Sequence, residues 1–153
     1  MTKIYLAGSC GSEDRTMMKK VATQLRNASY EVYCPFELQI ENAWDYTQEN
    51  WARLVFKADV EAIDNCDVFL MISPGRMGSA GTNWEQGYAY AKGKFIIVIQ
   101  YTDQPTSLMT YSAANWFYNV EDLDFVASLV STILSIDKGQ HLFRDIPCRT
   151  VLT

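Results

Sequence analysis

A chain of 153 residues and 17.4 kDa, 48% of it apolar, has the length and composition of one globular domain with a substantial core. A net charge of −5 and an isoelectric point near 4.8, with no basic run, exclude sequence-independent binding to a nucleic acid polymer, which needs clustered Lys and Arg against the phosphates. No window approaches the roughly 20 apolar residues that cross a bilayer, and the start Met-Thr-Lys-Ile-Tyr-Leu-Ala lacks the apolar length of a signal peptide, so a cytoplasmic protein without a membrane partner is expected.

Residues 3–7 form a short apolar run, read as a strand, that ends in Gly8-Ser9-Cys10-Gly11-Ser12. Glu13 and Asp14 then head a helical segment with Met17, Val21 and Leu25 on one stripe. Glycines in such a loop permit close backbone approach to a ligand, and amides at a helix start suit an anionic group. The loop lacks the Lys-Ser/Thr ending of a nucleoside-triphosphate loop and the full Gly-x-Gly-x-x-Gly spacing; a bare turn explains it equally well. Cys10 is either a reactive thiol or a small packing residue, and none of Cys10, Cys34, Cys66 and Cys148 pairs at metal-ligand spacing, as in a reduced protein without a metal site.

Residues 31–33 read as a second strand, stopped by Cys34-Pro35. The aperiodic stretch 36–46, with Trp44, reads as a flexible or partly helical flap, over a site or on the surface. From 47 to 63 the apolar positions Trp51, Leu54, Val55, Ala58 and Ala62 recur at helical spacing. Asp59 stands beside that stripe, near the sheet edge, either solvated or turned to a site. Asp67 is a turn residue ahead of the strand at 68–72.

A mobile Gly-rich loop, residues 73–81, follows at the carboxyl end of that strand, where open α/β sheets bind ligands. Arg76 within it is an anion clamp or simply exposed. The next helix is expected to be capped by Thr82, to bury Trp84, Tyr88 and Ala91, and to end at Gly93. Glu85 then falls in the first turn, where the helix dipole favours an ionised carboxylate able to act as a nucleophile. Thr82-x-x-Glu85 is equally a capping box, in which the glutamate folds back on the helix start.

Residues 95–100 form another apolar strand, 101–119 hold polar and aromatic residues including Asn115 and Trp116, and a last helix carries Leu123, Val126, Leu129, Val130, Ile133 and Leu134. His141, the single histidine, has no nucleophile motif nearby, which disfavours a Ser-His-Asp or Cys-His triad. Alternating strands and helices predict one doubly wound α/β domain over residues 1–153, with a mostly parallel sheet of about five strands and helices on both faces.

Four segments together, Ile4-Tyr5-Leu6-Ala7-Gly8, Asp59 to Asp67 before an apolar strand, Gly81-Thr82-Asn83-Trp84-Glu85-Gln86-Gly87-Tyr88-Ala89-Tyr90-Ala91, and Ala114-Asn115, resemble nucleoside 2-deoxyribosyltransferases over about residues 3–123. The resemblance implies a flavodoxin-like fold, with Glu85 as nucleophile on the anomeric carbon, Asp59 as proton shuttle to the leaving base, and Tyr5 as orienter of the glutamate. It also implies Gly8, Ser9, Ser79 and Gly81 around the substrate, and Asn115 lent to a neighbouring subunit's site, so that the protein is a homo-oligomer. The partners implied are a deoxynucleoside or deoxynucleotide and a free base; no cofactor or metal is required. Many transferases carry an aspartate where this chain has Ser79. A serine there, with Gly8-Ser9 and Ser12-Glu13-Asp14-Arg15, looks like the related 2′-deoxynucleoside 5′-monophosphate N-glycosidases, which hold a phosphate and pass the sugar to water. Asn115 is transferase-like.

Overall fold

The computed structural model describes residues 1–9 and 14–136, together with the backbone of 143–144. Cys10, Gly11, Ser12, Glu13, His141, Cys148 and the carboxyl tail lie outside the described residues.

Among the described residues, six parallel strands form one sheet: β1 (Lys3–Ala7), β2 (Glu31–Tyr33), β3 (Val68–Ser73), β4 (Phe95–Gln100), β5 (Trp116–Asn119) and β6 (Phe143–Arg144), in the spatial order β2-β1-β3-β4-β5-β6. The reversal of order beside β1 is the mark of double winding. The expected five-stranded parallel sheet is present, and the two-residue β6 extends its far edge. Strands covered on both faces need apolar residues at every position, and for that reason β3 and β4 are continuous runs without alternation.

Among the described residues, five α-helices cover the sheet: α1 (Arg15–Asn27), α2 (Gln48–Asn65), α3 (Ala80–Ala91), α4 (Leu108–Ala113) and α5 (Val126–Ile136). On one face Ile4, Leu6, Leu70, Ile72, Ile97 and Ile99 meet Met18, Val21 and Leu25 of α1 and Val126, Val130 and Ile133 of α5. On the other Tyr5, Ala7, Phe69, Met71, Ile96 and Val98 meet Ile63 of α2 and Ala89 of α3. Full burial of each large side chain contributes about 1.5–3 kcal/mol, so both layers are strongly held to the sheet. Cys34 and Cys66 are buried in opposite cores.

The stretch 36–46 is partly helical, with short 3-10 turns at Pro35–Glu37 and Ala43–Asp45, and Trp44 is fully exposed. The Gly-rich loop after β3, expected to be mobile, is tied down: Arg76 N–H donates to Pro105 O at 2.7 Å and the Thr102 hydroxyl donates to Pro74 O at 2.7 Å. Gly75, at φ +92°, lies so close to the neighbouring loop that a Cβ there would stand 2.9 Å from Pro105 O. A Cβ on Gly8 would lie 2.6 Å from Met18 Cε, so a side chain there would have to displace the tip of that buried methionine.

Candidate active site

The helix α3 begins three residues earlier than its sequence suggests. Ser79, not Thr82, is its N-cap: the Ser79 hydroxyl accepts from Thr82 N–H at 3.2 Å and shares a 2.7 Å hydrogen bond with the Thr82 hydroxyl. Two expectations fall with that shift. Glu85 sits in the second turn, out of reach of a capping box and of the free first-turn amides. The buried stripe is Thr82, Gln86 and Ala89; Trp84 is about half exposed, Tyr88 half-buried and Ala91 exposed. Gly93 ends the helix as expected, at φ +70°.

Glu85 leans from α3 onto the sheet. The Tyr5 hydroxyl, projecting from β1, donates to Glu85 Oε2. Burial lifts the Glu85 carboxyl from 4.5 to about 7; the Tyr5 hydrogen bond opposes the rise and the charge of Asp59 adds to it. The expected dipole-favoured ionisation is therefore corrected: at neutral pH this carboxyl is poised to exchange its proton. Tyr5 is completely buried, and burial together with the Glu85 charge raises its own pKa, which keeps its proton available for donation.

Asp59 reaches the same place from α2, in the second half of the helix as read from sequence. Its Oδ1 accepts a 2.7 Å hydrogen bond from the Tyr33 hydroxyl on β2. Burial raises its pKa, an effect that the Tyr33 hydrogen bond partly offsets. Asp59 and Glu85 line one cleft of about 400 Å³ between α2 and α3, walled by Trp51, Phe56 and Trp84 and opened at Gly81, where an added Cβ would meet nothing within 4 Å. Phe56 and Trp84 touch across it at 5.2 Å between ring centroids, and Trp84 stacks on Tyr88 at 5.5 Å. The helices are fastened beyond the cleft, where Tyr88 donates to Asp64 Oδ1 at 2.7 Å and Lys94 Nζ donates to Asp64 O at 2.7 Å. A larger hollow of about 490 Å³ beside Met1 and Asp67 has neither Asp59 nor Glu85 in its wall, so chemistry rather than size selects the site.

The remaining site residues take these places. Gly8 and Ser9 follow β1, with Gly8 packed against Met18 and Ile72. Asp67 is the turn residue expected, accepting from Lys3 N–H at 2.8 Å. Asn115 lies just ahead of β5 and is paired with β4: its Oδ1 accepts from Ile96 N–H at 2.8 Å and its own N–H donates to Ile96 O. Tyr33, Phe56 and Gln86 were not singled out from sequence. Gln86 is buried and donates to Thr110 O, tying α3 to α4. Tyr33 was visible only as the end of a strand; its alignment with Tyr5 needs the strand register.

The sheet is a doubly wound α/β one, and two tyrosine-held carboxyls face one cleft beside it. Residues 4–130 match the family model of nucleoside 2-deoxyribosyltransferases, and the chain belongs to that family. Among solved structures, a 2-deoxyribosyltransferase from the psychrotolerant bacterium Bacillus psychrosaccharolyticus is similar at TM-score 0.69 and 28% identity, over 82% of this chain and 90% of that one. The CMP N-glycosidase of Clostridium botulinum is similar at TM-score 0.61 and 19% identity, over 85% and 99%. A conserved protein from Enterococcus faecalis gives 0.64 and 19%, over 87% and 99%. The last two likenesses bear on fold alone. No curated protein matches the sequence. No described helix is long and apolar enough to cross a membrane.

Proposed function

We propose that the protein transfers a 2-deoxyribosyl group from one nucleobase to another by double displacement. The observation that carries this reading is the meeting of Glu85, held by Tyr5, and Asp59, held by Tyr33, in a single aromatic-walled cleft. Glu85 attacks C1′ as the N-glycosidic bond breaks, and Asp59 gives its proton to the departing ring nitrogen. The product is a glycosyl ester on Glu85 and a free base. A second base then attacks C1′ from the vacated side and returns a proton to Asp59. Two inversions retain configuration, as in retaining glycosidases with water as acceptor. Trp51, Phe56 and Trp84 supply flat apolar surface for a base. In this proposal Asn115 serves a neighbouring subunit's sugar with its amide nitrogen, since its oxygen already accepts from Ile96.

Ser79 supports a second reading, hydrolysis of 2′-deoxynucleoside 5′-monophosphates, because a serine beside the first amides of α3 does not repel a phosphate as an aspartate would. One experiment separates the two: the enzyme is given a deoxynucleoside or its 5′-monophosphate, with or without a second base, and products are resolved by chromatography. A nucleoside of the second base supports transfer; free deoxyribose phosphate formed in water supports hydrolysis. Wild-type turnover in the Glu85→Ala protein would remove the shared mechanism.

A further inference from the structure

Three aromatic rings stand in a row across the edge of the sheet. Tyr33 of β2 is in register with Tyr5 of β1, and Tyr5 with Phe69 of β3. Parallel neighbours at one register point the same way, about 4.8 Å apart, and here the rings stack at 5.4 Å on both sides of Tyr5, with interplanar angles of 22° and 8°. The two tyrosines end in hydroxyls that hold different helices: Tyr5 donates to Glu85 of α3, Tyr33 to Asp59 of α2. Spacing between the carboxyls is thereby read from a strand register, the stiffest ruler in the fold, rather than from the loops that launch the helices.

We propose that Tyr33 is the positioning residue of the proton-shuttling Asp59, as Tyr5 is of Glu85, and that the stacked pair sets the separation and aim of the two acids; this rests on the reaction proposed above. With Oδ1 of Asp59 accepting from Tyr33 in both protonation states, the travelling proton is confined to Oδ2 and to one direction. Asp59 in turn acts by its charge on groups of three elements, Tyr33 on β2, Tyr5 on β1 and Glu85 on α3. The Tyr33 bond also favours the ionised form of Asp59.

Tyr33→Phe removes the hydroxyl and keeps the ring stack, so the variant retains its fold. Two substrates read its effect. An ordinary deoxynucleoside needs a proton on its departing base; a 2-deoxyribosyl pyridinium does not, because its leaving group departs as neutral pyridine. Tyr33→Phe is expected to lower kcat at least about tenfold on the nucleoside, a share of the hundredfold or more typical of general acid catalysis, and less than about threefold on the pyridinium. Equal losses on both, or no loss on either, would overturn the proposal. A readout independent of turnover is the carbon-13 titration of the Asp59 carboxyl, assigned with Asp59→Asn. In Tyr33→Phe its midpoint moves up, because a donor to the carboxylate is gone; an unmoved midpoint overturns the positioning role. Should the wild-type protein turn over neither substrate, the transfer reading fails while the titration still judges Tyr33.

Discussion

Glu85 carries a cost that the folded protein bears at every pH above its ordinary range, and that cost is measurable. Burial is the main cause that pushes its carboxyl up from 4.5 when solvated to about 7 in the fold. The folded state therefore holds a proton that the unfolded chain has released. Stability from this group is fully present below the unfolded value and is lost as pH rises through the folded one, reaching a deficit of about 3 kcal/mol above pH 7. Replacing Glu85 by Gln keeps the shape and a carbonyl for the Tyr5 hydroxyl, and it removes the charge. At pH 8 Glu85→Gln is expected to be more stable than wild type by about 3 kcal/mol, and near pH 4.5 the two should unfold together. With a urea slope of about 2 kcal/mol/M, the midpoint rises by more than about 1 M at pH 8 only. Fluorescence-monitored urea unfolding of both proteins at both pH values decides it. The same midpoint difference at pH 4.5 and 8 would refute the buried-carboxylate argument, whatever the variant's activity. Loss of turnover together with gained stability at pH 8 would mark Glu85 as a group kept for chemistry.

Other outcomes follow from the same geometry. In the proposed reaction Glu85 acts ionised and Asp59 protonated, so kcat/KM should be bell-shaped in pH; its acid limb lies above the ordinary aspartate value of 3.8 and its basic limb at about 7, where the pair loses its last proton. A profile that is flat from about pH 5 to pH 9 argues against a shared-proton pair. Asp59→Asn is expected to slow turnover of ordinary nucleosides by about 10²–10⁴ and to bring the Glu85 midpoint down, which carbon-13 NMR of the carboxyl reads directly. Gly8→Ala should cost about 1–3 kcal/mol in urea unfolding, because its Cβ would press within 2.6 Å of the buried Met18 Cε; an unchanged midpoint would mean that Met18 yields freely. Ser79→Ala removes the cap of α3 and should cost about 1 kcal/mol, seen as roughly fivefold faster hydrogen exchange at the Thr82 amide if local opening governs it.

What could be read from sequence, and what could not, divides along physical lines. Strands β1, β2 and β4 were legible to the residue and β3 to within one, because double burial writes a parallel strand as an unbroken apolar run or a run between turn signals. Strand β5 was not placed, since Trp116–Asn119 is short and mixes polarity at the thin side of the sheet. The inward face of α3 was misread for a definite reason. Large rings at Trp84 and Tyr88 look like a core stripe, yet the buried positions are Thr82, Gln86 and Ala89; Tyr88 only borders the core and holds Asp64 of α2 with its hydroxyl, and Trp84 turns aside to line the cleft against Phe56. Composition shows which residues are apolar; only packing shows which of them fit beneath a helix. Glu85, Asp59 and Tyr5 were found through motif likeness, and the chain's coordinates bring them to one place. The protonation of Glu85 was misjudged because the helix dipole is a local property and burial is a tertiary one. Tyr33 needed the pairing of residues 28 positions apart in the chain, Tyr5 with Tyr33, which no local pattern contains.

The edge strand β2 has three residues and reaches the sheet through the tight bend at 28–30, where Ser29 adopts φ +69°. Adding or removing one amino acid in that bend would offer β2 a pairing displaced by a single step, which turns Tyr33 toward α1 and presents a neighbour lacking a phenol to Asp59. In the proposed reaction, the length of a surface bend thus decides whether Asp59 keeps its phenol partner. A library varied there would trade the packing of β2 for altered leaving-group tolerance.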